Sequence, residues 1–213
     1  MMSDIGPISV KALIAALGSP QAIFKATRKE LLSVQGIGRT TAERIYAQRN
    51  QIQISRELKH AHKLKASIVT PADGDYPGPL RAIHDPPLAL YVLGKLESSD
   101  KQSIAVVGTR HATFYGRESA ERLAYQLALT GFVVISGLAR GIDSAAHRGA
   151  LKAKGRTIAV LGSALDCIYP KENIALAKDI SEHGAVLSEF PLGKMPDKTT
   201  FPMRNRIISG LAM

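Results

Sequence analysis

The clearest pattern in the chain begins near residue 103, where short apolar runs alternate with longer amphipathic segments. The runs are nearly continuous in Val, Ile, Leu and Ala, which is typical of strands buried on both faces of a parallel sheet. The segments between them repeat their apolar residues at helical spacing. Strands are predicted over 104–107, 132–135, 157–161 and 185–187, and helices over about 116–130 and 143–154. This order predicts an α/β fold with a Rossmann-like, doubly wound, mostly parallel sheet.

The first 66 residues instead carry short apolar stretches at helical spacing, separated by glycine, proline and polar residues. Gly36 and Gly38, followed by Arg39, lie between two predicted helices and resemble the turn of a helix-hairpin-helix. Free N–H groups at the start of the second helix would suit a phosphate, so these three residues are candidate auxiliary DNA contacts. A purely structural hairpin or a protein-docking module is the alternative. We predict a small all-α, helix-hairpin-helix or SAM-like domain over residues 1–66.

Residues 67–100 contain five prolines, which exclude a long helix or a central strand there. We expect a connector with one strand, over 89–93, and a Rossmann-like domain over 101–213. With four core strands counted, the sheet should be incomplete at its C-terminal side and expose an edge.

Composition limits the class of protein. The hydrophobic content of 45% and charged content of 22% are those of a globular chain. The single cysteine, Cys167, excludes an internal disulfide framework and favours a reducing compartment. The first residues show no secretory signal, and no apolar run is long enough to cross a bilayer. We therefore expect a cytoplasmic protein. His60 and His62 lie two residues apart on a predicted helix and so point to different sides of it, and we expect no metal site.

The charge distribution suggests a polyanionic partner. The net charge is +10, and it divides into +7 over residues 1–66, −3 over 67–100 and +6 over 101–213. Two basic blocks are thus separated by an acidic connector. A charge that serves only solubility is the alternative, but nucleic acid is the common partner of such blocks.

Candidate binding residues follow the predicted strands. Ligands of open α/β sheets bind outside the carboxyl ends of the strands, and glycine-rich turns with arginine at that edge can bind phosphate. The segment after the first strand matches neither a dinucleotide-binding nor a Walker motif, so no cofactor is expected. Arginines placed in the first turn of the last predicted helix would oppose its dipole unless an anion binds there. The phosphate-binding candidates are Gly108, Thr109, Arg110, Ser136, Gly137, Arg140, Gly141, Gly162, Lys171, Arg204, Asn205 and Arg206.

These segments, taken together, resemble the DNA-processing protein A (DprA, or Smf) family. The resemblance covers essentially the whole chain. It is carried in order by Asp85-Pro86-Pro87, Val106-Val107-Gly108-Thr109-Arg110, Ser136-Gly137-Leu138-Ala139-Arg140-Gly141-Ile142-Asp143, Tyr169-Pro170 and Phe201-Pro202-Met203-Arg204-Asn205-Arg206. The family's Rossmann domain continues beyond the segment that matches the end of this chain.

The resemblance implies a protein, not an enzyme, that binds single-stranded DNA without sequence preference. It implies protection of incoming DNA during natural transformation, loading of the RecA recombinase and, in the full-length form, a homodimer. An enzyme reading stays open as an alternative. The glycine loops also resemble those of the lysine-decarboxylase-like phosphoribohydrolases, which release a base from a nucleoside monophosphate. Their Pro-Gly-Gly-x-Gly-Thr-x-x-Glu segment is absent, and Glu189 is the one candidate carboxylate at a strand end.

Overall fold

The chain forms two compact units in a computed structural model that describes residues 5–213. The first four residues lie outside the described part. The expectation that there is no secretory signal depends partly on them. The units are Met1–Arg56 and Glu57–Met213. Their boundary falls within one helix, Ile54–Lys63, ahead of the boundary expected at residue 66.

The first unit is all-α, as predicted. Its apolar core is centred on Leu13, Leu31 and Ile45, all nearly inaccessible to solvent. Thr27 and Glu30 form a capping box, in which each side chain accepts the backbone N–H of the other. The helices are α1 (Pro7–Leu17), α2 (Pro20–Lys25), α3 (Arg28–Ser33) and α4 (Arg39–Gln48).

The second unit is built on a six-stranded sheet in the order β1-β2-β6-β5-β4-β3. The helix that spans the boundary is α5 (Ile54–Lys63). The strands are β1 (Ser67–Val69), β2 (Leu90–Gly94), β3 (Ser103–Ala105), β4 (Val133–Ser136), β5 (Thr157–Val160) and β6 (Ala185–Ser188). The remaining helices are α6 (Gly78–Ala82), α7 (Phe114–Leu129), α8 (Ile142–Lys152), α9 (Ile174–His183) and α10 (Thr200–Leu211).

The four predicted strands are β3 to β6, and they pair in parallel. The sheet is larger than predicted because the connector supplies two strands rather than one, and β2 pairs antiparallel with both β1 and β6. These two strands cover the flank beside β6. The opposite edge is β3, where the Met213 N–H donates to the Ser103 carbonyl oxygen at 3.1 Å.

Alternate residues of the central strands point to opposite faces of the sheet. On one face Ile135 and Ile158 pack with Ile207 of α10. On the other face Val134 packs against α7 and α8, while Ala159 packs against α9. Burial on both faces explains why the strands are continuous apolar runs, and it leaves the loops at the carboxyl ends of the strands on one rim.

Candidate nucleic-acid interface

The loops after β3, β4 and β5 meet at this rim and enclose a cavity of about 190 Å³ together with the start of α10. This volume is below the roughly 300–1,000 Å³ of pockets that enclose a small-molecule ligand. The lining residues are Arg110, His111, Gly137, Ala139, Arg140, Gly162, Tyr169, Pro170 and Phe201. Four of the predicted site residues are thus brought together: Arg110, Gly137, Arg140 and Gly162.

Asp143, at the N-terminus of α8, ties two of these loops together. One carboxylate oxygen accepts the Gly108 N–H at 3.3 Å and the other accepts the Ala139 N–H at 3.4 Å. The loop backbone can follow this path because Gly141 has a φ of +78°, and a Cβ there would lie 2.3 Å from the Thr109 carbonyl oxygen. The two strand-end loops are therefore held at fixed positions relative to α8.

Arg110 is an exposed cation at the mouth of the cavity. Its guanidinium carbon lies 4.5 Å from the centre of the Phe201 ring, whose own neighbour is the Tyr169 ring at 6.2 Å. Arg110 forms no ion pair with any described residue. Stacking on Phe201 orients the guanidinium while leaving its N–H groups available to an anion. Neither ring was among the predicted site residues. The available signals were that Tyr169 follows β5 in a strand-end loop and that Phe201 lies at the start of α10.

Arg140 and Lys171 are also exposed at this rim. Arg140 donates two hydrogen bonds to Glu172, at 2.9 and 2.8 Å. The pKa of Glu172 is lowered by this hydrogen bonding. An ion pair exposed on both sides contributes little to stability, so a phosphate can compete with Glu172 for the guanidinium. Lys171 makes no ion pair in the described part of the chain.

Arg204 does not lie at the surface, which corrects the predicted phosphate contact. Only 4% of the Arg204 surface is exposed to solvent, and its Nη1 donates to the carbonyl oxygens of Gly137 and Val160. The guanidinium is therefore internal and links the ends of β4 and β5 to α10. The dipole argument also fails, because α10 begins at Thr200 and places both arginines beyond its first turn.

Arg206 is likewise turned away from the cavity, and the prediction of a direct phosphate contact is corrected for it too. It donates to both Glu189 oxygens, at 3.0 and 2.6 Å, and to Asp85 at 3.0 Å. Burial lowers the pKa of Arg206, but the two carboxylates outweigh burial and the net change is upward. Glu189, the carboxylate considered for the enzyme reading, is occupied in this ion pair and does not line the cavity.

The other predicted residues have mixed positions. Gly108, Thr109 and Asn205 are exposed near the cavity without lining it, whereas Ser136 is buried and donates to the Val106 carbonyl oxygen at 2.6 Å. Gly36, Gly38 and Arg39 are exposed in the first unit, at the start of α4. Within residues 5–213 no group of three or more His, Cys, Asp or Glu side chains could hold a metal ion. No helix of that part is long and apolar enough to span a membrane.

Comparison with known proteins shows the family of the chain. The family model for DNA recombination-mediator protein A matches residues 67–213, and a SAM-like helix-hairpin-helix tandem matches residues 1–50. The chain therefore belongs to the DNA recombination-mediator protein A family, as the resemblance indicated.

Individual relatives agree with this assignment. Protein Smf of Synechocystis is 39% identical over 99% of this chain and 54% of its own length, and DNA processing protein DprA of Bacillus subtilis is 45% identical over 64% and 46%. The chain spans about half the length of these relatives. The crystal structure of Streptococcus pneumoniae DprA superposes with a TM-score of 0.84 and 32% identity, over 99% of this chain and 72% of that one. A Helicobacter pylori DprA structure, described for its single-stranded DNA binding mode, gives 0.60 and 32%, over 70% of this chain and 67% of that one.

Proposed function

We propose that this chain binds single-stranded DNA without sequence preference and without chemical turnover, as part of DNA processing in natural transformation and recombination. The observation that carries the proposal is the exposed Arg110, stacked on Phe201 at the mouth of a small cavity on the strand-end rim. A guanidinium held in this way can form two parallel hydrogen bonds to a phosphate.

The contacts are proposed to be shared among the exposed members of the predicted set. Arg110, Arg140 and Lys171 supply charge. The loops around Gly108 and Gly141 supply backbone N–H donors other than those of Gly108 and Ala139, which are donated to Asp143. Tyr169 and Phe201 supply flat surfaces against which a base can stack, and stacking tolerates any sequence. Arg204 and Arg206 act indirectly, by fixing the loops and α10.

Two further parts of the proposal rest on family membership. The family's description as a recombination mediator supports a role in passing the bound strand to a recombinase, RecA. A homodimer is proposed for the full-length form. Cytoplasmic location follows from these roles.

The test is a fluorescence-anisotropy titration of labelled oligo-dT at two salt concentrations. Arg110→Ala should weaken binding about 10- to 100-fold at low salt, because a charge-assisted hydrogen bond is lost. It should also flatten the dependence of log K on log salt by about one phosphate contact. Lys101→Ala is the matched control, since Lys101 is exposed but precedes the amino end of β3. The proposal would be refuted if wild-type binding did not depend on salt. It would also be refuted if Arg110→Ala and Lys101→Ala bound oligo-dT equally well.

A further inference from the structure

A second concave surface lies on the solvent side of α7 and α8, and its volume is about 610 Å³. We call it the α7–α8 groove. α7 lines it from its first residue to Tyr125, and α8 lines it with Ala145, Arg148 and Lys152, which lie three and four positions apart on one face. The groove is lined by two aromatic residues at the start of α7 and by four cations: Phe114, Tyr115, Arg117, Arg122, Arg148 and Lys152. None of them belongs to the candidate site described above.

The groove carries a positive charge that is only partly neutralised. Four cations line it, against Glu118 and Glu121. Lys152 pairs with Glu121, and Arg117 donates to the Ala112 carbonyl oxygen at 2.7 Å. Arg122 and Arg148 are exposed and form no ion pair within 4 Å among residues 5–213. Neither guanidinium is held in a close ion pair, so both can meet an anionic ligand, although the charge of Arg148 also acts on the Glu172 carboxylate.

Two aromatic side chains lie at one end of the groove with most of their surface in solvent. Phe114 is 69% exposed and Tyr115 is 77% exposed. They are the first two residues of α7, directly after Thr113, whose side chain accepts the Gly116 N–H at 3.1 Å and caps the helix. Exposed rings beside arginines are the combination that sequence-tolerant single-strand binding sites use.

The groove begins on the same side of the sheet as the cavity at the strand-end rim. α7 follows the loop after β3, and α8 follows the loop after β4, so both helices begin at the rim and run away from it. Arg110 precedes Phe114 by only the residues of one loop. A strand bound at Arg110 therefore reaches Phe114 and Tyr115 first, and then Arg122 and Arg148.

We propose that the α7–α8 groove is a second binding segment for the same single-stranded nucleic acid, which leaves the rim cavity across Phe114 and Tyr115 and continues between α7 and α8. The inference rests on the proposed function and extends it, because it sets the path and the length of the bound strand. A protein partner could also use tyrosine and arginine, but the free positive charge and the start of both helices at the rim favour nucleic acid.

Two lengths of labelled oligo-dT test the path, one of about 6 nucleotides that suffices for the cavity and one of about 25 that can also enter the groove. Tyr115→Ala and the double variant Arg122→Ala/Arg148→Ala should each weaken binding of the long oligonucleotide about tenfold. Both should leave the short one within about twofold of wild type. The double variant should also flatten the salt dependence for the long oligonucleotide alone.

The controls separate the two proposals. Tyr115→Phe keeps the ring and should bind like wild type, and Lys101→Ala should change neither length. These side chains are exposed, so each variant should melt at the wild-type temperature. If Arg110→Ala weakens both lengths while the groove variants bind both normally, the groove is not on the DNA path and the inference is overturned, but the proposed function stands. If wild type binds neither length, the proposed function itself fails and the groove inference fails with it.

Discussion

At the scale of single residues, Arg204 shows how an arginine can serve a binding site without contacting the ligand. Burial is the main reason that the pKa of Arg204 is lowered, and the charge of Asp143 opposes this effect. The guanidinium is satisfied by carbonyl oxygens of two strand ends. Removing a partner from a buried charge is costly, so this arginine fixes the loop that carries Gly137.

The space beside the Arg204 guanidinium is too small for a side chain on Gly137. A Cβ added at Gly137 would lie 2.1 Å from Nη1 of Arg204, so Gly137→Ala must displace the guanidinium from its carbonyl partners. We expect the free energy of unfolding to fall by about 2–4 kcal/mol, measured by urea denaturation. Gly74→Ala is the control, because no atom of the described residues lies within 4 Å of its added Cβ. Its free energy of unfolding should stay within about 0.5 kcal/mol of wild type. Equal stability of the two variants would contradict this role of Arg204.

At the scale of elements, the N-terminus of α8 organises the rim, and Asp143 is the residue responsible. Asp143→Ala would leave the N–H groups of Gly108 and Ala139 without their acceptor. We expect a loss of about 1–3 kcal/mol in the free energy of unfolding and weaker oligo-dT binding, because Arg110 lies on a loop that is then less constrained. Denaturation and anisotropy on the same preparations measure both.

Asp143→Asn provides the comparison for this prediction. It keeps one acceptor oxygen, so its stability should lie between those of wild type and Asp143→Ala. A variant that loses DNA affinity while keeping full stability would show instead that Asp143 acts on the ligand directly.

At the scale of the whole molecule, the buried His147 links stability to pH. Burial, reinforced by the charge of Arg204, lowers the pKa of His147 to about 3. Nδ1 lies 2.7 Å from Thr157 Oγ1, and Nε2 has no hydrogen-bond partner among residues 5–213. The folded protein therefore keeps the ring neutral at pH values where an unfolded chain, with a histidine pKa of about 6.5, protonates it.

This difference in protonation makes the folded protein less stable as the pH falls. The contribution of the neutral His147 ring to the free energy of unfolding is complete above about pH 6.5. It is lost as the pH falls towards 3, because unfolding then takes up a proton. Between pH 6.5 and 5 we expect a loss of about 1.4 kcal/mol per pH unit, measured by urea denaturation. His147→Gln, which cannot titrate, should be less stable at pH 7 but should show a flatter dependence in this window. An unchanged slope in the variant would assign the pH effect to other groups.

Much of the fold was accessible from the sequence because each signal is local. The apolar runs of β4 and β5 and the glycine pair before α4 depend on neighbours a few residues away. β1 was missed because it is three residues long and follows no alternation, and it exists through pairing with β2. The prolines that suggested a connector lie between these two strands, where they do not interrupt the pairing.

Local patterns in the sequence were enough to predict the α/β class, the helical first unit and the loops that meet at the rim, since periodicity and glycine placement involve consecutive residues. The family was indicated by the resemblance of the motifs in those loops. Only the tertiary structure decided which cations face solvent. Arg110 and Arg204 look equivalent in sequence, but one stacks on Phe201 at the surface and the other is enclosed between strand ends. The physical reason is that exposure and ion pairing depend on partners distant in the chain, such as Glu189 for Arg206 and Glu172 for Arg140.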